Sequence, residues 1–122
     1  MSGDVRDRKG RWGEAVVAEY LRDRGFTVTA ERYRTRYGEI DLIAENGTFL
    51  LFVEVKLRTG RGPVSGREAV DVGKQRRLRT TAEVYLSQNP TDKQPRFDVA
   101  EVCAPCGLDT KSPAITYIEN AF

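Results

Sequence analysis

Two short stretches of this chain, Gly38-Glu39-Ile40-Asp41 and Val53-Glu54-Val55-Lys56, decide its fold because they predict adjacent strands whose charged side chains meet. Asn46-Gly47 lies between them, and Asn-Gly is the strongest short signal for a hairpin, since both residues tolerate a positive φ. A loop of two or four residues centred on this pair would set Asp41 opposite Phe52 and Glu39 opposite Glu54. We therefore expect one antiparallel hairpin.

The charged residues of this hairpin are expected on one face, because side chains alternate between the two faces along a strand. They are Glu39, Asp41, Glu54 and Lys56. Crowded carboxylates repel one another, and their burial is costly unless a cation compensates them. The pattern thus indicates a divalent metal ion held by oxygen ligands beside a lysine.

Asp41 and Glu54 are the natural ligands of such an ion, and the main-chain carbonyl of Val55 offers a further oxygen between them. Oxygen-only ligation favours Mg²⁺ or Mn²⁺ over zinc. Lys56 would orient or help to deprotonate an attacking water, or neutralise charge in the transition state. The alternative for these residues is an ion-pair network on an exposed sheet face.

Two further acidic residues have open roles. Glu14 falls within the apolar arc of a helix predicted over residues 9–25, which Gly25 would cap. It either forms a salt bridge or points into the acidic cluster, where it could reach the ion through a water or hold a second one. Glu39 would pair with a basic residue if it turns away from Glu54.

Composition bounds the class of protein. The chain has 122 residues, 39% of them hydrophobic and 31% charged, which fits one globular domain spanning residues 1–122. No apolar run approaches the roughly 20 residues that span a bilayer, and the polar N-terminus has no signal-peptide core, so we expect a cytoplasmic protein. Histidine is absent, which excludes catalytic triads, histidine bases and histidine-ligated zinc.

Basic residues are concentrated in one part of the chain. Between Lys56 and Arg79 there are eight Lys and Arg residues against two acidic ones, which suits a polyanion contacted through its phosphates. The alternative is a solvated helix face with a basic loop. The expected nucleic-acid contacts are Arg58 and Arg61 in a glycine-rich loop, and Lys74, Arg76 and Arg77 on a helix predicted over residues 72–87.

The remaining pattern predicts strands over residues 26–33, 37–44, 49–57, 96–102 and 114–119. Together with the two helices, this order indicates an α/β fold with a central sheet. The strand over residues 49–57 begins with Phe49-Leu50-Leu51-Phe52-Val53, which is apolar on both faces. Such a strand is typical of a sheet covered on both sides.

These residues carry a resemblance that covers nearly the whole chain. The chain resembles the PD-(D/E)xK nuclease superfamily, and most closely the uncharacterised bacterial YraN family, which is similar to archaeal Holliday-junction resolvases. The stretches that carry it are Trp12-Gly13-Glu14-Ala15, Tyr37-Gly38-Glu39-Ile40-Asp41-Leu42-Ile43-Ala44, Phe52-Val53-Glu54-Val55-Lys56, Lys74-Gln75-Arg76-Arg77-Leu78, Arg96-Phe97-Asp98-Val99 and Asn120-Ala121-Phe122.

The resemblance implies a restriction-endonuclease-like core, with a mixed central β-sheet flanked by helices. It implies Asp41 and Glu54 as metal ligands, Lys56 as the catalytic lysine, and Glu14 and Gln75 as supporting residues. It also implies a homodimer acting on branched DNA. No small-molecule cofactor is expected. Ile40 stands where the superfamily motif often has proline, a change that leaves the ligand at Asp41.

Three functions follow from these observations. The first is a metal-dependent endonuclease that hydrolyses phosphodiester bonds of branched or structured DNA. The second is a non-catalytic DNA-binding module in repair or recombination. The third, a redox or zinc protein built on Cys103 and Cys106, is weaker because a lone C-x-x-C offers only two ligands and no thioredoxin-like helix follows it.

Overall fold

The computed structural model describes residues 5–59 and 71–122. Two helices and five strands make up this part of the chain, together with one 3-10 turn, Gly107–Asp109. The helices are α1, Val5–Asp23, and α2, Val72–Gln88. The strands are β1, Thr27–Thr35; β2, Gly38–Glu45; β3, Phe49–Arg58; β4, Gln94–Cys103; and β5, Ala114–Ile118.

The strands form one sheet in the order β1-β2-β3-β4-β5. The β3–β4 pair is parallel and the other three pairs are antiparallel. Parallel neighbours need a crossover connection, and α2 lies in the connection between β3 and β4. The predicted α/β class with a mixed, helix-flanked sheet is confirmed, and it is consistent with a restriction-endonuclease-like core.

Each face of the sheet has its own hydrophobic core. Val17 and Leu21 of α1 pack with Leu42, Leu51 and Val53 on one face. On the other face, the buried residues that pack around α2 are Ile40, Ile43, Leu50, Phe52, Leu78, Ala82 and Val99. The predicted two-sided burial of the second hairpin strand is confirmed, because β3 contributes to both cores.

The end of α1 confirms the predicted glycine cap. Gly25 has a φ of 88°, a conformation that costs glycine little. Its N–H donates to the carbonyl of Arg22, and the N–H of Phe26 donates to the carbonyl of Leu21, each at 3.0 Å. These are the two hydrogen bonds of a Schellman motif, which ends a helix and redirects the chain.

The hairpin register differs from the predicted one by two residues. Ile43 pairs with Phe52 and Leu42 with Val53, so Asp41 is not opposite Phe52 and Glu39 is not opposite Glu54. The reason lies in the turn, where the side chain of Asn46 accepts hydrogen bonds from the N–H groups of Thr48 and Phe49, at 2.9 and 2.7 Å. Because a two-residue shift keeps every side chain on its face, the predicted facing of Asp41 and Glu54 survives.

A buried ion pair fixes the end of the chain to the sheet. Asp98 of β4 is fully buried and accepts hydrogen bonds from Arg96 at 2.9 and 3.0 Å, from the Tyr117 hydroxyl at 2.6 Å and from the Asn120 N–H at 2.9 Å. Burial and the Asp98 carboxylate raise the pKa of Tyr117. The ring of Phe122 packs 5.1 Å from that of Phe97.

In the part of the chain that the structure describes, neither helix is both long enough and apolar enough to cross a membrane.

Candidate metal centre

Asp41 and Glu54 come together just beyond the paired part of the hairpin. The last pair between β2 and β3 is Leu42 with Val53, so the next residue on each strand lies past the end of the ladder. Asp41 Oδ2 instead accepts a hydrogen bond of 2.8 Å from the N–H of Val55. The backbone of β3 thereby holds one carboxylate beside the other.

Glu54 is buried and Asp41 is half-buried, and the loss of hydration changes the pKa of Asp41. Burial first, and then the neighbouring Glu54 carboxyl, raise the pKa of Asp41 to about 9. The Val55 N–H acts in the opposite direction but does not outweigh them. Two carboxylates in a poorly hydrated place resist being charged together, so the site favours either a shared proton or a cation.

Glu54 carries an oxygen that lacks a hydrogen bond. Its side chain is only 6% exposed, and Lys74 Nζ lies 3.1 Å from Oε2. This distance makes the contact an ion pair. The geometry is not that of a hydrogen bond, and Oε2 has no hydrogen-bond partner among the described residues. Apart from its ion pair with Lys74, this oxygen accepts no aligned hydrogen bond, so it can bind a further positive group.

Two lysines share the electropositive side of the site. Burial lowers the pKa of Lys56, and contact with Lys74 lowers it further. Burial is the largest influence on Lys74 and disfavours its charged form, but Glu54, Lys56 and Asp41 together outweigh burial, so the pKa of Lys74 is raised. Lys74 is therefore the standing counter-ion of Glu54, while Lys56 is the lysine that gives up a proton more readily.

Glu14 forms a salt bridge, which is one of the two arrangements that the sequence left open, and its role at the metal centre stays a prediction. Its Oε1 accepts from Arg32 Nε at 2.9 Å, and Arg32 also binds Asp7 at 2.9 Å. Burial raises the pKa of Glu14, partly offset by Arg32, and the Glu14 charge contributes to the raised pKa of Asp41. Among residues 5–59 and 71–122, no three acidic or cysteine side chains group closely enough to hold a metal ion.

Arg32 is the functional neighbour that the sequence analysis missed. It lies between the pairs Glu31–Leu42 and Tyr33–Ile40, across the sheet from Asp41, with a left-handed φ of 51°. That conformation costs a non-glycine residue on the order of 1–2 kcal/mol, and its two ion pairs offset the cost. The sequence held only an indirect signal for Arg32, since the Glu14 carboxylate on the apolar arc of α1 needs a cation beside it.

Glu39 lies away from the pair and next to Arg34. The two residues are register partners on β2 and β1, and their side chains form an ion pair. The predicted alternative, in which Glu39 pairs with a basic residue, is confirmed.

The first turn of α2 carries Gln75 and also Lys74, whose side chain contacts Glu54. The Asp71 carboxylate caps this turn by accepting from the Lys74 N–H at 2.7 Å, and the Asp71 carbonyl accepts from the Gln75 N–H at 2.9 Å. The Gln75 side chain is half-buried. Its supporting role stays a prediction.

The residues predicted to contact nucleic acid differ in how exposed their side chains are. Arg76 and Arg77 are exposed on α2, and Lys74 is half-buried against Glu54. Arg58 was predicted in a loop, but it is the last residue of β3 and its Nε is buried without a hydrogen-bond partner in the described structure. Arg58 is part of the strand because it pairs with Cys103 of β4. Arg61 lies outside the described residues.

The two cysteines have free thiols, with Cys103 half-buried and Cys106 exposed.

Comparison with known proteins decides the family. Residues 13–102 match the family described as "Uncharacterised protein family UPF0102". The chain belongs to this family. It is the YraN family that the sequence resemblance indicated.

Relatives from several bacteria that are named as UPF0102 proteins align with this chain over most of their own length. A UPF0102 protein from Synechococcus sp. (strain JA-3-3Ab) is 42% identical over 93% of this chain and 89% of its own. One from Symbiobacterium thermophilum is 48% identical over 78% of this chain and 81% of its own. A third, from Rhodococcus jostii, is 40% identical over 93% and 94%.

The UPF0102 match includes Glu14, Asp41, Glu54, Lys56 and Gln75, and it ends before Cys103 and Cys106. The family description names no activity.

Proposed function

We propose that this protein is a metal-dependent endonuclease that hydrolyses phosphodiester bonds of branched or structured DNA. The observation that carries the proposal is the pairing of half-buried Asp41 with buried Glu54, whose Oε2 has an ion-pair contact with Lys74 but no hydrogen bond within the described part of the chain. A structural ion pair is normally completed by hydrogen bonds, as Asp98 is. The Asp41–Glu54 pair lacks such a complete set of hydrogen bonds, so its oxygens can also serve as ligands of a cation.

The donor set fits a hard divalent ion. Both side chains offer carboxylate oxygens, and the carbonyl of Val55 faces the same strand edge as the N–H that Asp41 accepts from, because both groups of one strand residue point to one side. Oxygen ligands favour Mg²⁺ or Mn²⁺. When bound, such an ion activates a water and stabilises negative charge on the departing oxygen.

The lysines supply the protein's own part of the chemistry. Lys56 has a lowered pKa and sits two residues from Glu54 on the same face, so it can exchange a proton with the attacking water. Lys74 keeps its charge and offsets that of Glu54. Glu14, held by Arg32, and Gln75, on the first turn of α2, would support this arrangement from either side.

DNA is the polyanion that the charge pattern suits best. Arg76 and Arg77 are exposed on the helix whose first turn carries Lys74, so phosphates bound there would lie beside the carboxylate pair. Positive side chains that replace counter-ions on phosphates give affinity without sequence preference. A homodimer would present two such sites and cut two strands of one branched molecule.

The second candidate is a DNA-binding module that does not cut. The ion pair between Lys74 and Glu54 favours it, because a fixed ammonium compensates part of the buried charge without any metal ion. The two candidates differ in whether the carboxylate pair is needed after DNA has bound.

The test is a cleavage assay on linear, single-stranded, flapped and four-way-junction DNA with Mg²⁺, Mn²⁺ or EDTA. Asp41→Asn and Glu54→Gln remove the ligands with little change in shape. Glu45→Gln is the matched control, since Glu45 is an acid of the same hairpin paired with Lys93 at 2.8 Å.

Cleavage that needs metal, disappears in Asp41→Asn and Glu54→Gln and persists in Glu45→Gln would support the endonuclease. Binding without cutting under every metal would favour the binding module. Equal cleavage by all four proteins would refute this assignment of the site.

A further inference from the structure

Tyr37 is an exposed aromatic residue in the turn that leads from β1 into β2. Its exposed fraction is 41%, and among the described residues only Val72 and Leu108 are other large hydrophobic side chains with comparable exposure. The guanidinium of Arg36 lies 5.0 Å from the centre of its ring. A single exposed tyrosine is ordinary on a protein surface, so its surroundings must decide whether it has a role.

The turn that presents Tyr37 is held by several contacts. The Tyr37 N–H donates to Thr35 Oγ1 at 3.0 Å, and this hydroxyl lies 3.4 Å from both the Gly38 carbonyl and Thr81 Oγ1. Gly38 packs so closely on α2 that a Cβ there would lie 3.2 Å from Thr81 Oγ1 and 3.5 Å from Arg77 Cβ. Tyr37 therefore projects from a turn that is anchored to the helix.

The turn leads directly into the strand that carries Asp41, and it packs beside the exposed Arg77 of α2. Tyr37 precedes Asp41 by four residues along an extended chain, which places the two Cα atoms roughly 13 Å apart at about 3.3 Å per residue. Successive phosphates of one stacked DNA strand advance about 3.4 Å along the helix axis. A strand cut at Asp41 would thus reach Tyr37 after about four stacked nucleotides, or fewer if it is extended.

An aromatic ring beside an arginine is suited to stack on a nucleobase, and this needs a base whose face is free. In a continuous duplex both faces of each base are covered by its neighbours. An unpaired base at a fork, flap, gap or junction centre has a face to offer.

We propose that Tyr37, together with Arg36, is a stacking platform for an unpaired nucleobase of the DNA substrate, near the phosphate that is cut. The platform selects DNA with unpaired bases next to the cleavage point over continuous duplex. This inference rests on the proposed function, because it takes the bound polymer to be DNA.

The test measures binding rather than cleavage, so it does not depend on a metal-loaded enzyme. Full-length protein carrying Asp41→Asn is titrated in EDTA with a forked DNA and with a duplex of the same length. Each of the first six unpaired positions of the fork carries 2-aminopurine in turn, because this base loses fluorescence when an aromatic ring stacks on it. Tyr37→Ala removes the ring, Tyr37→Phe keeps it, and Leu108→Ala is the control for losing an apolar side chain that is 39% exposed.

We expect quenching at one or two adjacent positions, retained in Tyr37→Phe and Leu108→Ala and lost in Tyr37→Ala. The dissociation constant for the fork should rise roughly 5-fold or more in Tyr37→Ala, and that for the duplex less than 2-fold. Circular dichroism should give each variant the melting temperature of its parent within about 3 °C.

Three results would overturn the platform. The first is an unchanged affinity of Tyr37→Ala for the fork, and the second is an equal loss of affinity for fork and duplex. The third is a change from dimer to monomer when Tyr37→Ala is compared with its parent by sedimentation, because Tyr37 would then lie in a contact between two copies of the chain. Absence of binding to either DNA would overturn the proposed function and the platform together, whereas good binding with no effect of Tyr37→Ala would overturn the platform alone.

Discussion

Asp41 Oδ2 accepts a 2.8 Å hydrogen bond from the N–H of Val55, at the point where the pairing of the two hairpin strands has ended. The Asp41 carboxylate thus accepts from a β3 N–H group where a backbone carbonyl of β2 would accept if the pairing of the two strands continued. This bond fixes the carboxylate against the residue that follows Glu54. It also brings half-buried Asp41 beside buried Glu54, so charging both carboxylates at once reduces the stability of the fold.

Asp41→Asn should therefore stabilise the metal-free protein. The folded-state pKa of Asp41 is about 9, above the value of about 4 in an unfolded chain, so the folded state binds the proton more tightly. Stability should fall as pH rises between these two values. We expect thermal melting in EDTA to show wild type losing stability from pH 5 to pH 9, and Asp41→Asn gaining about 1–2 kcal/mol near pH 8. Parallel curves for the two proteins would contradict the raised pKa.

Metal should reverse this instability only when both ligands are present. Mg²⁺ or Mn²⁺ at about 100 times its dissociation constant should stabilise wild type by about 2.7 kcal/mol. Asp41→Asn and Glu54→Gln should show little change on adding either ion, while Glu45→Gln behaves as wild type. Calorimetric titration and melting with and without EDTA provide the measurement, and an equal rise in all four proteins would place the ion elsewhere.

Lys56→Met should affect the chemical step rather than binding. Loss of a positioned proton-transfer group costs about 10²–10⁴ in rate. We expect single-turnover cleavage to slow by this amount while the dissociation constant for the same DNA changes less than about 3-fold. A variant that cuts at the wild-type rate would remove Lys56 from the mechanism.

Arg76→Gln with Arg77→Gln should weaken DNA binding in a salt-dependent way. Each lost phosphate contact lowers the slope of log affinity against log salt by about 0.9, so the double variant should lose about 2 from that slope. Arg22→Gln with Lys111→Gln is the control, because both residues are exposed and lie outside α2. A slope reduced equally by the control pair would indicate a general charge effect.

Asp98→Ala should destabilise the fold without touching the metal centre. It would leave the guanidinium of Arg96, which is only 14% exposed, with the exposed Glu119 carboxylate at 3.7 Å in place of its buried partner, at a cost of about 3–5 kcal/mol. Tyr117→Phe removes a single hydrogen bond to the same carboxylate and should cost about 1–2 kcal/mol. Urea unfolding measures both, and a loss below 1 kcal/mol for Asp98→Ala would contradict the role given to this ion pair.

Much of the fold could be predicted from local pattern. The glycine cap at Gly25, the Asn-Gly turn and the apolar run of β3 each reflect a preference that acts over a few residues. The hairpin register could not be predicted from the same signals. The Asn46 side chain accepts two hydrogen bonds from backbone N–H groups in the turn, and the centre of the turn thereby shifts along the chain. Composition alone does not distinguish this turn geometry from the predicted one.

Sequence by itself determined that Asp41, Glu54 and Lys56 share one face, because strand alternation survives a two-residue change of register. It also excluded histidine chemistry outright. Only the tertiary structure decided that Glu14 is bound by Arg32, that Lys74 contacts Glu54, and that Glu54 Oε2 lacks a hydrogen bond. These contacts join residues far apart in the chain, so they depend on how helices and strands pack rather than on any local pattern.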